Sequence, residues 1–173
     1  MRVPPIAIRA GYMIPLKIIN VKHMKKLIIL DLDNTLIYAS LYELPAKILF
    51  KYSDYLTIYA RPHTKEFVQK CRTIADVVVV TTAVRDYAKK VCEHLQIKPI
   101  ELFSREDCLI LNYKYVKSVP DYYFDLYDDI IIFDDSPELW DKKSHEKCRV
   151  IGVSPFTGEA DDDELDKIKI LDL

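Results

Sequence analysis

A chain of 173 residues, half of them apolar and 30% charged, is the length of one domain and is neither disordered nor membrane-embedded in composition. Its net charge of −2 offers no overall basic field to nucleic acid. The three glycines, Gly11, Gly152 and Gly158, lie far apart, which excludes a dinucleotide fingerprint, a Gly-rich phosphate loop and a Gly-x-Ser-x-Gly elbow.

Residues 1–30 carry six Lys/Arg and no acid, and the first 23 also hold Pro4, Pro5 and Pro15, which interrupt any long helix. Residues 1–23 are therefore expected to be a basic N-terminal extension, a loosely attached arm rather than a targeting signal. Residues 24–173 are expected to form the domain proper. Lys25 to Asp31 is a short apolar run ending in a carboxylate and reads as a buried parallel strand. Tyr55 to Ala60 is rich in β-formers and reads as a strand outside the main sheet. Pro62 is expected in the first turn of a helix, with Phe67, Val68, Cys71, Ile74 and Ala75 following at helical spacing.

Asp76 to Thr81 reads as a second buried strand. From Val84 the apolar positions fall at helical offsets through Leu95, the pattern of an amphipathic helix. Cys71 and Cys92 fall on apolar helix faces and are expected in the core. Ile100 to Phe103 suggests a short strand, residues 105–118 small strands or loop, and Pro120 to Tyr127 a helix. Asp129 to Asp134 and Cys148 to Val153 read as strands, and Asp161 to Leu171 as a closing helix with acids at its start. Strand alternating with helix predicts an α/β fold: three layers around a doubly wound parallel sheet. Cys71, Cys92, Cys108 and Cys148 include no C-x-x-C pair, so a zinc knuckle or disulfide framework is not expected and a reducing, intracellular setting fits. No apolar run approaches the ~20 residues of a spanning helix, and no membrane partner is expected.

Three of the buried strands end in polar residues of one chemical kind: Asp31-Leu32-Asp33-Asn34-Thr35, Thr81-Thr82, and Asp134-Asp135-Ser136. Ligands of open parallel sheets bind beyond the carboxyl ends of the strands, so these groups are expected on one rim although a hundred residues separate them. Lys117 lies between the second and third groups. Asp31, Asp33, Asp134 and Asp135 crowded together call for a cation, and a hard oxygen-seeking ion such as Mg²⁺ suits carboxylates. Such an ion also bridges to phosphate oxygens. A carboxylate then attacks phosphorus to form an aspartyl-phosphate, and a second carboxyl two residues on serves as acid and then as base. Thr81 can hydrogen-bond a phosphoryl oxygen and Lys117 can balance charge. Taken singly, each strand-end Asp is as readily a turn cap; the combination is what points to chemistry. Arg61 and Arg85 either attract an anionic substrate or are solvated surface.

These residues carry the signature of the haloacid dehalogenase superfamily of aspartate-dependent phosphohydrolases. "DLDNTL" at 31–36, "RPHTKEFV" at 61–68, "VVVVTTAVRDYAKKV" at 77–91, "NYKYVKSV" at 112–119 and "IIIFDDSPELW" at 130–140 resemble one branch of it in order. That branch is the small RNA polymerase II C-terminal-domain phosphatases and nuclear LIM interactor-interacting factor-like phosphatases. The likeness implies Asp31 as nucleophile and metal ligand, and Asp33 as general acid/base with its backbone carbonyl on the metal. It implies Thr81 on phosphate, Lys117 on the phosphoaspartate, and Asp134 and Asp135 at the Mg²⁺ site. Tyr87 would line a pocket for substrate apolar groups, and Thr82, Arg85 and Tyr87 are the expected substrate contacts. Thr82-Ala83 departs from the Ala-Ser common in relatives.

The resemblance further implies no large cap domain, and hence an open site suited to phosphoserine or phosphothreonine in an extended peptide. The alternatives are the same chemistry on a nucleotide, a nucleic-acid 3′ end or a small phosphorylated metabolite, or a non-enzymatic binding module of this fold. Nucleic acid is not the expected partner, and a cytoplasmic or nuclear location is expected.

Overall fold

The structure, a computed structural model, describes residues 24–172. The expected N-terminal extension over 1–23 lies outside the described residues. In chain order the elements are β1 (Lys26–Leu30), β2 (Ile37–Ser40), β3 (Lys47–Lys51), β4 (Thr57–Ala60), α1 (Thr64–Ile74), β5 (Asp76–Val80) and α2 (Arg85–Leu95). There follow β6 (Leu102–Phe103), β7 (Leu109–Leu111), β8 (Lys114–Val116), α3 (Asp121–Leu126), β9 (Asp129–Asp134), α4 (Lys142–Lys147), β10 (Arg149–Gly152) and α5 (Glu164–Lys167). The main sheet is parallel throughout, in the order β10-β9-β1-β5-β6.

The continuous apolar runs are explained by burial on both faces. Ile28, Leu30, Val77, Val79, Ile131 and Phe133 pack with Phe67, Val68 and Cys71 of α1 and Ala88, Val91 and Cys92 of α2. The alternate residues Leu27, Ile29, Val78, Val80, Ile130 and Ile132 pack with Val119, Tyr123, Tyr127 and Trp140. One strand thus supplies both layers, which is why no polar residue interrupts it. The expected α/β fold of three layers is what the chain adopts, and no large cap interrupts it. Between β1 and α1 stands only a small antiparallel sheet, β2-β4-β3, which places the expected strand before Arg61 outside the main sheet. Among the described residues no helix is long and apolar enough to cross a membrane.

Three local expectations are corrected. Pro62 does not enter a helix. His63 takes a left-handed backbone (φ 63°), and the Thr64 hydroxyl donates toward the carbonyls of Arg61 (2.9 Å) and Leu36 (3.1 Å), so α1 starts at Thr64. The closing helix is a single four-residue turn, α5, followed by a tight turn over 170–172. Leu165 and Ile170 are both buried in the α1-side core, yet five residues of continuous helix would rotate them about 140° apart. The chain extends at Ile168 and brings both inward. The third correction is α4, absent from the sequence reading. It is six residues long with only Ser144 buried, so it carries no apolar stripe; its start is marked by the Asp141 carboxylate accepting from the Ser144 amide (2.8 Å).

Residues 153–158 tie the end of β9 to the turn after β1 and to the chain before β3, with the Val153 amide on the Asp134 carbonyl (3.0 Å), the Phe156 amide on the Asn34 carbonyl (2.7 Å) and the Ala46 amide on the Gly158 carbonyl (3.2 Å). Gly158 sits at φ +104°, and a Cβ there would come within 2.4 Å of the Leu44 side chain. Gly158→Ala is expected to lower stability by about 1–3 kcal/mol, through a strained backbone and a displaced Leu44. Thermal unfolding followed by circular dichroism checks this; an unchanged midpoint would show that the segment 153–158 gives way freely.

Candidate active site

Because β1, β5 and β9 are parallel neighbours in register, their carboxyl ends open on the same rim. Leu30 is paired with both Val79 and Phe133, so the residues at the strand ends come onto one rim: Asp31 just after β1, Thr81 just after β5 and Asp134 as the last residue of β9. Asp31, Asp33, Thr82, Lys117, Asp134 and Asp135 line one shallow pocket of about 160 Å³. A roomier cavity of about 630 Å³, lined by residues such as Lys47, His63 and His94, includes none of these acids, so the chemistry identifies the smaller one.

At the pocket floor Lys117 is buried between two acids. Its ammonium donates to Asp31 Oδ1 (2.6 Å) and Asp134 Oδ2 (2.7 Å). Lys117 reaches this point because its backbone pairs with the chain around Trp140, its N–H donating to the Leu139 carbonyl (2.7 Å) and its carbonyl accepting from the Asp141 amide (2.9 Å). Trp140 also fixes Asp134, its indole N–H donating to Oδ2 (2.7 Å). The Ser136 amide donates to Asp134 Oδ1 (2.9 Å). Asp135 is held by Thr35, whose hydroxyl donates to Oδ1 (3.2 Å) and accepts from the Asp135 amide (3.0 Å).

Carboxylate oxygens of Asp31, Asp134 and Asp135 lie within 4.8 Å of one another. Burial pushes the Asp31 carboxyl above the ordinary range, with Lys117 opposing the shift and Asp134 adding to it. Asp135 is pushed up by burial and by Asp134. Burial alone would drive the Lys117 ammonium down, but the two carboxylates together outweigh it and raise it. One ammonium therefore faces three clustered acids, with Asp33 nearby. This is excess negative charge on hard oxygen donors, and it fits a divalent ion of the Mg²⁺ kind.

The Asp33 side chain is not in that cluster. Its Oδ1 accepts from the Tyr87 hydroxyl (2.8 Å). Burial raises the Asp33 carboxyl and the Tyr87 bond partly opposes this, so a proton is more readily held there than on a solvated aspartate. The Asn34 backbone is left-handed (φ 62°), a conformation asparagine tolerates, and it turns the chain sharply after Asp33. Thr81 is buried and is not among the pocket-lining residues; its hydroxyl accepts from the Ala83 amide (3.1 Å) and keeps a proton to donate.

Of the expected substrate contacts, Thr82 lines the pocket and Tyr87 reaches it through Asp33. Arg85 is not among the pocket-lining residues: its guanidinium bonds the Leu102 carbonyl and Asp107. The structure places Arg105 closer, with its Nε–H on the Thr82 carbonyl (2.7 Å). Arg61 is neither surface nor substrate contact. It is 2% exposed and forms a two-pronged pair with Asp162 (2.7 and 2.8 Å). The sequence reading gave no role to Thr35, Ser136 or Trp140. Thr35 and Ser136 flank the acids it did single out, and Trp140, the one tryptophan, follows six residues after Asp134.

A family model described as NLI interacting factor-like phosphatase matches residues 26–171. Phosphatase Herzog of Drosophila melanogaster is 29% identical over 143 residues, 78% of this chain and 40% of its own. The solved structure of Fcp1, an essential RNA polymerase II CTD phosphatase, has a TM-score of 0.54 at 20% identity, covering 78% of this chain and 42% of that one. The fission yeast RNA polymerase II CTD phosphatase Fcp1 bound to beryllium fluoride has a TM-score of 0.54 at 19% identity, covering 87% and 48%. The chain thus spans less than half the length of these relatives, and the two solved structures speak for the fold alone.

Proposed function

The chain belongs to the NLI interacting factor-like phosphatase family, and from that premise we propose that it is a Mg²⁺-dependent phosphatase that forms an aspartyl-phosphate on Asp31 and acts on phosphoserine or phosphothreonine in an extended polypeptide. The observation that carries this reading is the buried Lys117 ammonium between Asp31 and Asp134, with Asp33 held separately by Tyr87. Two neighbouring carboxyls in different environments suit two different roles.

In this reading Asp31 attacks phosphorus: a bond forms from its carboxylate oxygen to phosphorus as the ester P–O bond breaks. Asp33 gives its proton to the leaving side-chain oxygen. Water then attacks the aspartyl-phosphate, Asp33 takes the water proton, and Asp31 leaves as the carboxylate. Lys117 neutralises part of the charge on Asp31 throughout, and the Thr81 hydroxyl and Thr82 orient the phosphoryl oxygens. Asp31, Asp134 and Asp135 would hold Mg²⁺, with Asp33 contributing its backbone carbonyl. The ion, when bound, supplies charge neutralisation for the transferring phosphoryl group.

A polypeptide substrate is supported by the small, open pocket and by the β1–α1 segment, which holds only the three-stranded β2-β4-β3 sheet and no domain large enough to enclose a metabolite. Residues 24–173 act as the phosphatase domain in this reading, and the four free cysteines suit a reducing, intracellular setting. Acid quenching during turnover of a phosphoserine peptide, followed by mass spectrometry, is expected to find +80 Da (about the mass of HPO₃) on the peptide containing Asp31. Chelation with EDTA is expected to abolish its formation and Mg²⁺ to restore it. Phosphate trapped on Asp134 or Asp135 instead, or turnover indifferent to EDTA, overturns the mechanism.

A further inference from the structure

The pocket that holds the acids is too small to read a substrate by itself. About 160 Å³ takes a phosphoryl group and little else, against roughly 300–1,000 Å³ for sites that enclose a whole small ligand. Recognition of a polypeptide therefore falls to the surface around the mouth.

On that surface the β7–β8 hairpin is chemically unlike its surroundings. Each of its strands pairs only with the other among the described residues, which leaves their outer edges open to a further strand. Ile110 pairs with Tyr115 across the ribbon, so both project from one face. Ile110 is 68% exposed and Tyr115 41%. The turn places Asn112 and Tyr113 both at positive φ, 50° and 62°, as a two-residue hairpin turn requires. Asparagine accepts that conformation, whereas a bulky aromatic does so at a cost, and Tyr113 is fully exposed there. Packing among the described residues does not account for an aromatic at that position.

This face is continuous with the pocket. The Arg105 guanidinium bonds the Thr82 carbonyl (2.7 Å) and lies 5.2 Å from the centre of the Tyr115 ring. Thr82 lines the pocket, and β8 itself leads directly to Lys117. Apolar surface, a basic side chain and the phosphate position thus follow one another in space. That sequence complements an anionic phosphorylated residue with an apolar neighbour along its own chain.

We propose that the Ile110–Tyr115 face, with Tyr113 at its tip, docks the substrate polypeptide by receiving an apolar or aromatic side chain a few residues from the phosphorylated one. The inference rests on the polypeptide-phosphatase reading above and adds the substrate feature that is read.

The test uses the full chain and two variants, Ile110→Ser and Tyr113→Ser. Three substrates are compared: p-nitrophenyl phosphate, a phosphoserine peptide flanked by leucine and phenylalanine, and the same peptide flanked by serine and glycine. The unmodified chain is expected to favour the apolar-flanked peptide by about tenfold in kcat/KM. Each variant is expected to lose most of that preference through KM, with the other two substrates unaffected. Equal kcat/KM for the two peptides, variants that leave the apolar-flanked peptide unchanged, or variants that depress all three substrates together overturn the docking assignment. So does a dimer in sedimentation that the variants dissociate without altering peptide kinetics, which would give the strip to a second copy of the chain. Hydrolysis of the aryl phosphate but of neither peptide overturns the polypeptide reading itself, and hydrolysis of none of the three overturns the phosphatase reading.

Discussion

Asp31→Asn is expected to lower turnover of both p-nitrophenyl phosphate and a phosphoserine peptide by about 10⁴-fold or more, the scale of loss when a nucleophile is removed. An amide oxygen is a poor nucleophile toward phosphorus, and the other pocket carboxylates are engaged: Asp33 by Tyr87, Asp134 by Lys117 and Trp140, and Asp135 by Thr35 and Ser136. The fold should survive. Asparagine has the same shape, its carbonyl still accepts from Lys117, and one charge is taken from an acid-rich pocket, so the thermal midpoint is expected to stay level or rise slightly. Asp33→Asn should fail differently. An aryl leaving group needs little protonation, so Asp31 is still phosphorylated, but the water that must follow has lost its base. A burst of p-nitrophenol and an accumulating phosphoenzyme are the expected signs. Retained turnover in Asp31→Asn, or equal and burst-free loss in both variants, would place the nucleophile elsewhere.

The two Asp variants test what was most legible in the sequence. Leu27 to Leu30, Val77 to Val80 and Ile130 to Phe133 read as strands because burial on both faces leaves no polar position in them. Parallel strands end on one rim, so a polar residue immediately after each run locates the site before any coordinates do. What the linear pattern does not carry is where long side chains go. Lys117 is a lysine in a polar stretch of sequence, and only the backbone pairing beside Trp140 turns it inward. Nothing in the linear pattern marks Trp140, which is buried in the core, yet its single N–H helps decide how Asp134 is held. Residues 161–171 show the same limit from the other side. The acids there suggested a helix start, but one of them, Asp162, serves a partner 101 positions away. Exposure is no more legible for the hairpin: Leu109, Ile110 and Leu111 form an apolar run like those of the core, yet lie outside it.

That long-range partner gives the largest expected loss of stability. Arg61→Ala is expected to cost about 3–4 kcal/mol, the range for breaking one side of a buried ion pair. The Arg61 side chain has no exposure and Asp162 keeps only 14%, so water can restore little of what the carboxylate loses. The same guanidinium donates to the Thr35 carbonyl (3.1 Å) and lies over the Phe156 ring, contacts that vanish with it. In a domain of this size the thermal midpoint should fall by about 10 °C. Arg61→Lys should recover only part of this, because an ammonium cannot reproduce the two parallel bonds to Asp162. Asp162→Asn should be destabilising too, and the double variant Arg61→Ala with Asp162→Asn should cost much less than the sum of the singles, since each single change leaves a buried group without its partner. Strict additivity in that cycle would mean that the pair is not coupled. The loss should also reach the acid site, because Thr35 bonds Arg61 through its carbonyl and Asp135 through its hydroxyl. Calorimetric titration of Asp162→Asn with Mg²⁺ is therefore expected to show weaker binding than the unmodified chain. Unchanged Mg²⁺ affinity in a destabilised Asp162→Asn would confine Arg61 and Asp162 to holding the fold together, with Thr35 keeping Asp135 in place on its own.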